Sequence, residues 1–82
     1  NPFNPSTQIS FDVPNVEFIT LRVYNLLGQD VKTLSSKIMN PGRYIFEWDG
    51  TDLLNNDVAS GVYFYELRGE SFISRKKMLL IR

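Results

Sequence analysis

Hydrophobic and polar residues alternate along nearly the whole chain with a period of two, the mark of strands with one buried face. In residues 7–13, Thr-Gln-Ile-Ser-Phe-Asp-Val, the apolar positions are Ile9, Phe11 and Val13. Pro14-Asn15 stops that run, because proline has no N–H for a ladder. Residues 17–25 repeat the pattern, with Ile19, Leu21 and Val23 on one face and Thr20, Arg22 and Tyr24 on the other. Leu26-Leu27-Gly28-Gln29 reads as a turn centred on glycine, where positive φ costs little. Residues 30–35 form a third strand with Val31 and Leu34 inward. Asn40-Pro41-Gly42-Arg43 has proline second and glycine third, the type II arrangement. The strand after it, 43–48, sets Tyr44, Phe46 and Trp48 on one face. Residues 49–57, Asp-Gly-Thr-Asp-Leu-Leu-Asn-Asn-Asp, are dense in turn formers, with room for one short turn at Leu53-Leu54. Val58–Gly61 lead into a strand over 62–68 in which Tyr63, Tyr65 and Leu67 alternate. Gly69-Glu70 turns the chain, and the last run, 72–81, ends Met78-Leu79-Leu80-Ile81, followed by Arg82.

This gives about seven short strands with regular turn signals and no long helix, repeat or low-complexity segment. The expected class is all-β, an antiparallel β-sandwich with Greek-key connections. At 82 residues and 9.5 kDa the chain is a single domain, residues 1–82. Hydrophobic residues at 43% and charged residues at 22% are globular proportions rather than those of a disordered chain. A domain this short buries only about 60–65% of its unfolded surface, and there is no cysteine to staple it. Its core must therefore come from large side chains, which the 13% aromatic content supplies. No apolar run approaches the roughly 20 residues of a membrane helix, so no transmembrane segment is expected. The opening Asn-Pro-Phe-Asn-Pro lacks the basic and apolar regions of a signal peptide. It reads as a linker entering a domain, so the chain is expected to be a module from a longer protein.

Nine basic residues balance nine acidic ones, which argues against a nucleic-acid partner. The absence of cysteine and histidine excludes thiolate catalysis and Cys-ligated zinc, and removes the commonest general base and metal ligand. The serines have no neighbouring base to activate them. A non-catalytic domain without cofactor or metal is expected. The loop bearing Asp49, Asp52, Asn55, Asn56 and Asp57 is the one oxygen-rich cluster and suits calcium by ligand type. Its spacing is not that of a helix-loop-helix calcium site, no closing glutamate follows, and turn chemistry accounts for the same residues; calcium binding by this loop stays open. Arg75-Lys76-Lys77 is the one basic cluster, suited to phosphate, lipid headgroups or an acidic partner, or to a solvated gatekeeper beside the apolar run 78–81. Tyr24, Tyr44, Tyr63, Tyr65 and Trp48 could form a sugar-stacking platform, but their alternation along strands assigns them to the core.

Several segments, taken in order, resemble a known family. They are Asn1-Pro2-Phe3-Asn4-Pro5-Ser6-Thr7 with Ile9-Ser10-Phe11, Val23-Tyr24-Asn25-Leu26-Leu27-Gly28-Gln29-Asp30-Val31, Pro41-Gly42, Trp48-Asp49-Gly50-Thr51, Ala59-Ser60-Gly61-Val62-Tyr63-Phe64-Tyr65, and Lys76-Lys77-Met78-Leu79-Leu80-Ile81-Arg82. Together they resemble the C-terminal sorting domain of type IX secretion (Por secretion type A) over essentially the whole chain. The resemblance implies an immunoglobulin-like (Ig-like) sandwich at the C-terminus of an exported protein, with its cargo N-terminal to residue 1. It implies a periplasm-to-cell-surface or extracellular location, and partners in the outer-membrane translocation machinery and a cell-surface peptidase. The implied recognition elements are Lys76, Lys77, Met78, Leu79, Leu80, Ile81 and Arg82 of the last strand, and Gly61, Tyr63 and Tyr65. Strand addition to a receptor would use 76–82, with Lys76, Lys77 and Arg82 setting orientation. The glycine turn, Trp-Asp-Gly and Gly-x-Tyr-x-Tyr elements are similar also to the Ig-like domain of the flagellar hook-capping scaffold protein. The competing expectations are a structural or adhesive Ig-like spacer and a carbohydrate-binding accessory domain.

Overall fold

The computed structural model describes residues 6–81. The Asn-Pro-Phe-Asn-Pro opening and Arg82 lie outside the described residues. Six strands form in chain order: β1 (Thr7–Val13), β2 (Glu17–Tyr24), β3 (Asp30–Met39), β4 (Gly42–Trp48), β5 (Gly61–Arg68) and β6 (Ile73–Leu80), with no helix among the described residues. They make two antiparallel sheets, one of β1 and β4, the other in the order β3-β2-β5-β6. Only β2–β3 and β5–β6 are hairpins. The other three connections cross between the sheets, so that β1 meets β4 and β2 meets β5 out of sequence, as in a Greek-key sandwich.

Alternation decides what is buried. Ile9, Phe11 and Val13 of β1 face Ile19, Leu21 and Val23 of β2, with Val31, Met39, Trp48, Tyr63, Leu67, Met78 and Leu80 completing one core. Phe11 stacks between Tyr44 and Phe46, each centroid 5.7 Å away. Trp48 is fully buried, edge-on to Tyr63 at 4.9 Å, and its Nε1 donates to the Thr51 carbonyl at 2.9 Å. Two tyrosines brace crossings between the sheets. The Tyr44 hydroxyl donates to the Asn40 carbonyl at 2.7 Å. The Tyr63 hydroxyl donates to Ala59 at 2.6 Å, the tyrosine-corner contact found where an Ig-like chain enters this strand.

Three expectations are corrected. Six strands form among the described residues where about seven were expected; β3 runs on to Met39, and 49–57 folds, as its turn formers suggest, as a loop with a single bridge, Thr51 to Asp57. The segment 40–43 is not a type II turn: Gly42 has φ 150°, far from the roughly +80° of that turn, since the chain here must step about 10 Å between sheets rather than double back. Tyr24 lies not in the core but on the outer face of the larger sheet, half-buried.

Candidate recognition surface

Strand β6 is an edge strand, paired only with β5 within its sheet. The Leu79 carbonyl accepts the Thr7 hydroxyl from the opposite sheet at 3.1 Å, so the peptide groups at this position face away from β5. By the alternation of an antiparallel ladder, those at Lys77, Arg75 and Ile73 do the same. Side chains alternate as well. Met78 and Leu80 point into the core, while Arg75, Lys77 and Leu79 are exposed on the outer face.

Register builds that face into cross-strand rows. Tyr24, Phe64 and Lys77 form one row, and Arg22, Glu66 and Arg75 the next, across β2, β5 and β6. Glu66 is buried, at 3% exposure. Its Oε2 accepts from Arg75 Nε at 2.6 Å and its Oε1 from Arg68 Nε at 3.0 Å, while both arginines stay substantially exposed. Burial works to raise the Glu66 carboxyl, but the bonds to Arg75 and Arg68 outweigh it and hold the group below the usual glutamate value. The carboxylate thereby holds both guanidinium groups by their Nε atoms, on side chains that stay largely exposed. The β2–β3 turn walls this surface into a groove of about 490 Å³. Asn25 shapes that turn, its Oδ1 accepting from the N–H groups of Leu27 and Gln29 at 2.9 and 3.0 Å, with Gly28 at φ 78°.

The remaining sequence-predicted residues are placed as follows. Lys76 lies opposite Tyr65 on the inner side, at the open edge of the sandwich and on the other face from Lys77. Burial raises the Tyr65 hydroxyl above the ordinary tyrosine value. Gly61 pairs with Leu80 at φ 151°. Tyr63, Met78 and Leu80 are core side chains, and by the same alternation their peptide groups face the β5–β6 ladder rather than the open edge. Leu79 and Ile81 are exposed. Sequence reasoning missed Glu66, Arg68, Phe64 and Arg22 as neighbours of the basic cluster. The available signal was Phe64, an aromatic at a position whose parity faces outward.

In the oxygen-rich loop, Asp49 Oδ1 accepts from the Thr51 hydroxyl at 2.6 Å and its N–H at 3.1 Å. Asp52 Oδ1 accepts from the N–H groups of Leu54 and Asn56. The Lys32 ammonium donates to Thr51 Oγ1 at 2.7 Å and to Asn55 Oδ1 at 3.0 Å, placing a cation of the chain's own against the loop. The Thr51 hydroxyl bond, aided by its N–H and by Lys32, holds Asp49 below the usual aspartate value against a smaller desolvation effect. Among the described residues no three acidic side chains converge as metal ligands.

At the far end, Glu17 is buried and accepts from Ser71 N at 3.0 Å and Ser71 Oγ at 2.7 Å, tying β2 to the β5–β6 turn. Those bonds hold its carboxyl below the ordinary value.

No curated protein and no solved structure matches the chain. The family model of the FlgD Ig-like domain matches residues 3–71, ending just before β6. With the match spanning most of the chain and two antiparallel sheets joined by a tyrosine corner, the chain belongs to the FlgD Ig-like domain family.

Proposed function

We propose that this Ig-like module is a non-catalytic sorting signal that directs an attached cargo protein across an outer membrane through the type IX system, read through the edge strand β6. The observation that carries the reading is the placement of the basic-apolar residues 75–80 on β6, a strand that pairs on one side only among the described residues. Such a strand offers backbone groups to a receptor strand, and Arg75, Lys77 and Leu79 give the edge a distinctive outer face. The sequence resemblance to sorting domains supports the same reading at both ends of the chain. On this view the partners are the translocation machinery and a cell-surface peptidase, with the cargo N-terminal to residue 1 and the location exported.

The test is a transplant. Residues 1–82 are fused behind a linker and a general export signal to a fluorescent reporter, and expressed in a type IX-competent bacterium and in a strain lacking the translocon. Translocon-dependent release of the reporter is the expected result. Retention in the periplasm of both strains would overturn it. Membership of the FlgD Ig-like family favours a second reading, a structural Ig-like spacer, for which release would not depend on the translocon.

A further inference from the structure

Among the described residues, the outer face of β6 and the groove beside it carry more positive than negative charge. Arg22, Arg68, Arg75 and Lys77 face outward, and the one carboxylate in these rows, Glu66, is buried beneath two of them. Glu66 takes only the Nε of Arg68 and of Arg75, so it holds the two guanidinium groups in place and leaves their outer forks for a ligand. Pre-organised guanidinium groups favour carboxylate or phosphate partners because little side-chain freedom is lost on binding.

The strand edge narrows the choice of partner. A sugar or nucleotide could neutralise the cations but could not use the outward peptide groups of Ile73, Arg75 and Lys77, whereas an extended polypeptide can use both. A strand added beside β6 places every second side chain next to the outer-face residues Ile73, Arg75, Lys77 and Leu79, with two exposed apolar residues flanking two cations. Opposite charges directly across a pair of strands stabilise it, as do apolar pairs. The pattern is symmetric about its centre and so reads the same in either strand direction.

We propose that β6 captures an extended acidic polypeptide whose alternate residues read apolar, acidic, acidic, apolar, with its carboxylates on Arg75 and Lys77. The Thr7 bond to the Leu79 carbonyl limits the added backbone ladder to the stretch 73–77, so the partner's last apolar residue meets Leu79 by side-chain contact alone. This rests on the edge-strand recognition proposed above and adds the chemistry of the partner.

The probe is a synthetic seven-residue peptide with valine, glutamate, glutamate and valine at alternate positions and threonine between them, titrated against the 82-residue chain by fluorescence anisotropy. A lysine-for-glutamate peptide and an acidic peptide N-methylated on its β6-facing amides serve as comparators. The acidic peptide is expected to bind, more weakly as salt rises, with the lysine and N-methylated peptides failing. Lys77→Glu touches neither Glu66 nor the core and should weaken the acidic peptide about fivefold. Equal binding of acidic and lysine peptides, absence of acidic-peptide binding, or full binding of the N-methylated peptide would each overturn the inference. Reporter export scores the sorting reading separately. Export without peptide capture removes this inference alone, and capture without export removes the sorting reading alone.

Discussion

Single side chains bear unequal shares of this fold. Tyr63 joins two roles, a ring edge-on to Trp48 and a hydroxyl on the Ala59 carbonyl. Tyr63→Phe keeps the ring and loses the bond, and should lower stability by about 1 kcal/mol in urea unfolding. Trp48 is sealed from solvent, so its emission should be blue-shifted and insensitive to a soluble quencher, which also counts against a sugar platform at this ring. Glu66 and Glu17 both have folded-state carboxyls held below the ordinary glutamate value. A depressed carboxyl stabilises the fold above its unfolded value and loses that contribution as pH falls through its folded value. Stability should therefore be flat near neutrality and decline from about pH 4.5 downward. Glu66→Gln should remove part of that decline, measured as the melting temperature against pH. An unchanged slope in the variant would show that Glu66 is not one of the groups responsible.

At the scale of elements, the alternation made β1 legible to the residue, since Ile9 and Phe11 have polar neighbours on both sides and Val13 lies between Asp12 and the Pro14 that ends the strand. The same rule placed Ile19, Leu21 and Val23 inward. It failed for β3, expected to end at 35 and observed to reach Met39. Ser35, Ser36 and Lys37 carry no alternation because this is an edge strand whose Ser36, Lys37 and Ile38 are exposed on successive faces before Met39 turns into the core. The turn after it was misread for a related reason. Proline and glycine mark a reversal of direction, but local sequence does not state whether the next strand joins the same sheet. The β2–β3 turn was legible, and Asn25 is what shapes it: Asn25→Ala removes acceptors for two N–H groups and should cost about 1 kcal/mol, with loss concentrated in local hydrogen-exchange protection. Gly69 admits no side chain, because a Cβ there would meet Glu17 Oε1, and would lie 2.8 Å from Phe72. Gly69→Ala should destabilise by displacing the Glu17–Ser71 tie.

Across the whole molecule, the two-sheet architecture was legible in the spacing of the strands, while the groove was not. Arg22, Glu66 and Arg75 are far apart in sequence and become neighbours only through the β2–β5 and β5–β6 registers, which no local pattern encodes. The separation of Lys76 from Lys77 onto opposite faces does follow from period two alone. The fold also dictates how the terminal segment can be studied. Removing the last six residues takes away Met78 and Leu80, both core side chains; a single Leu80→Ala should already cost about 2–5 kcal/mol. Loss of export in such a truncation would report unfolding as readily as loss of recognition.

The measurement that meets the central claim most directly leaves the core intact and alters only the edge. Lys77→Pro removes an outward N–H from β6, a position where an edge strand tolerates proline, and its folding is checked by the melting temperature. In the reporter fusion, a domain read by strand addition to β6 predicts a folded variant whose translocon-dependent release falls several-fold below that of the unaltered sequence. Release at the full rate from the folded variant would contradict recognition through this edge.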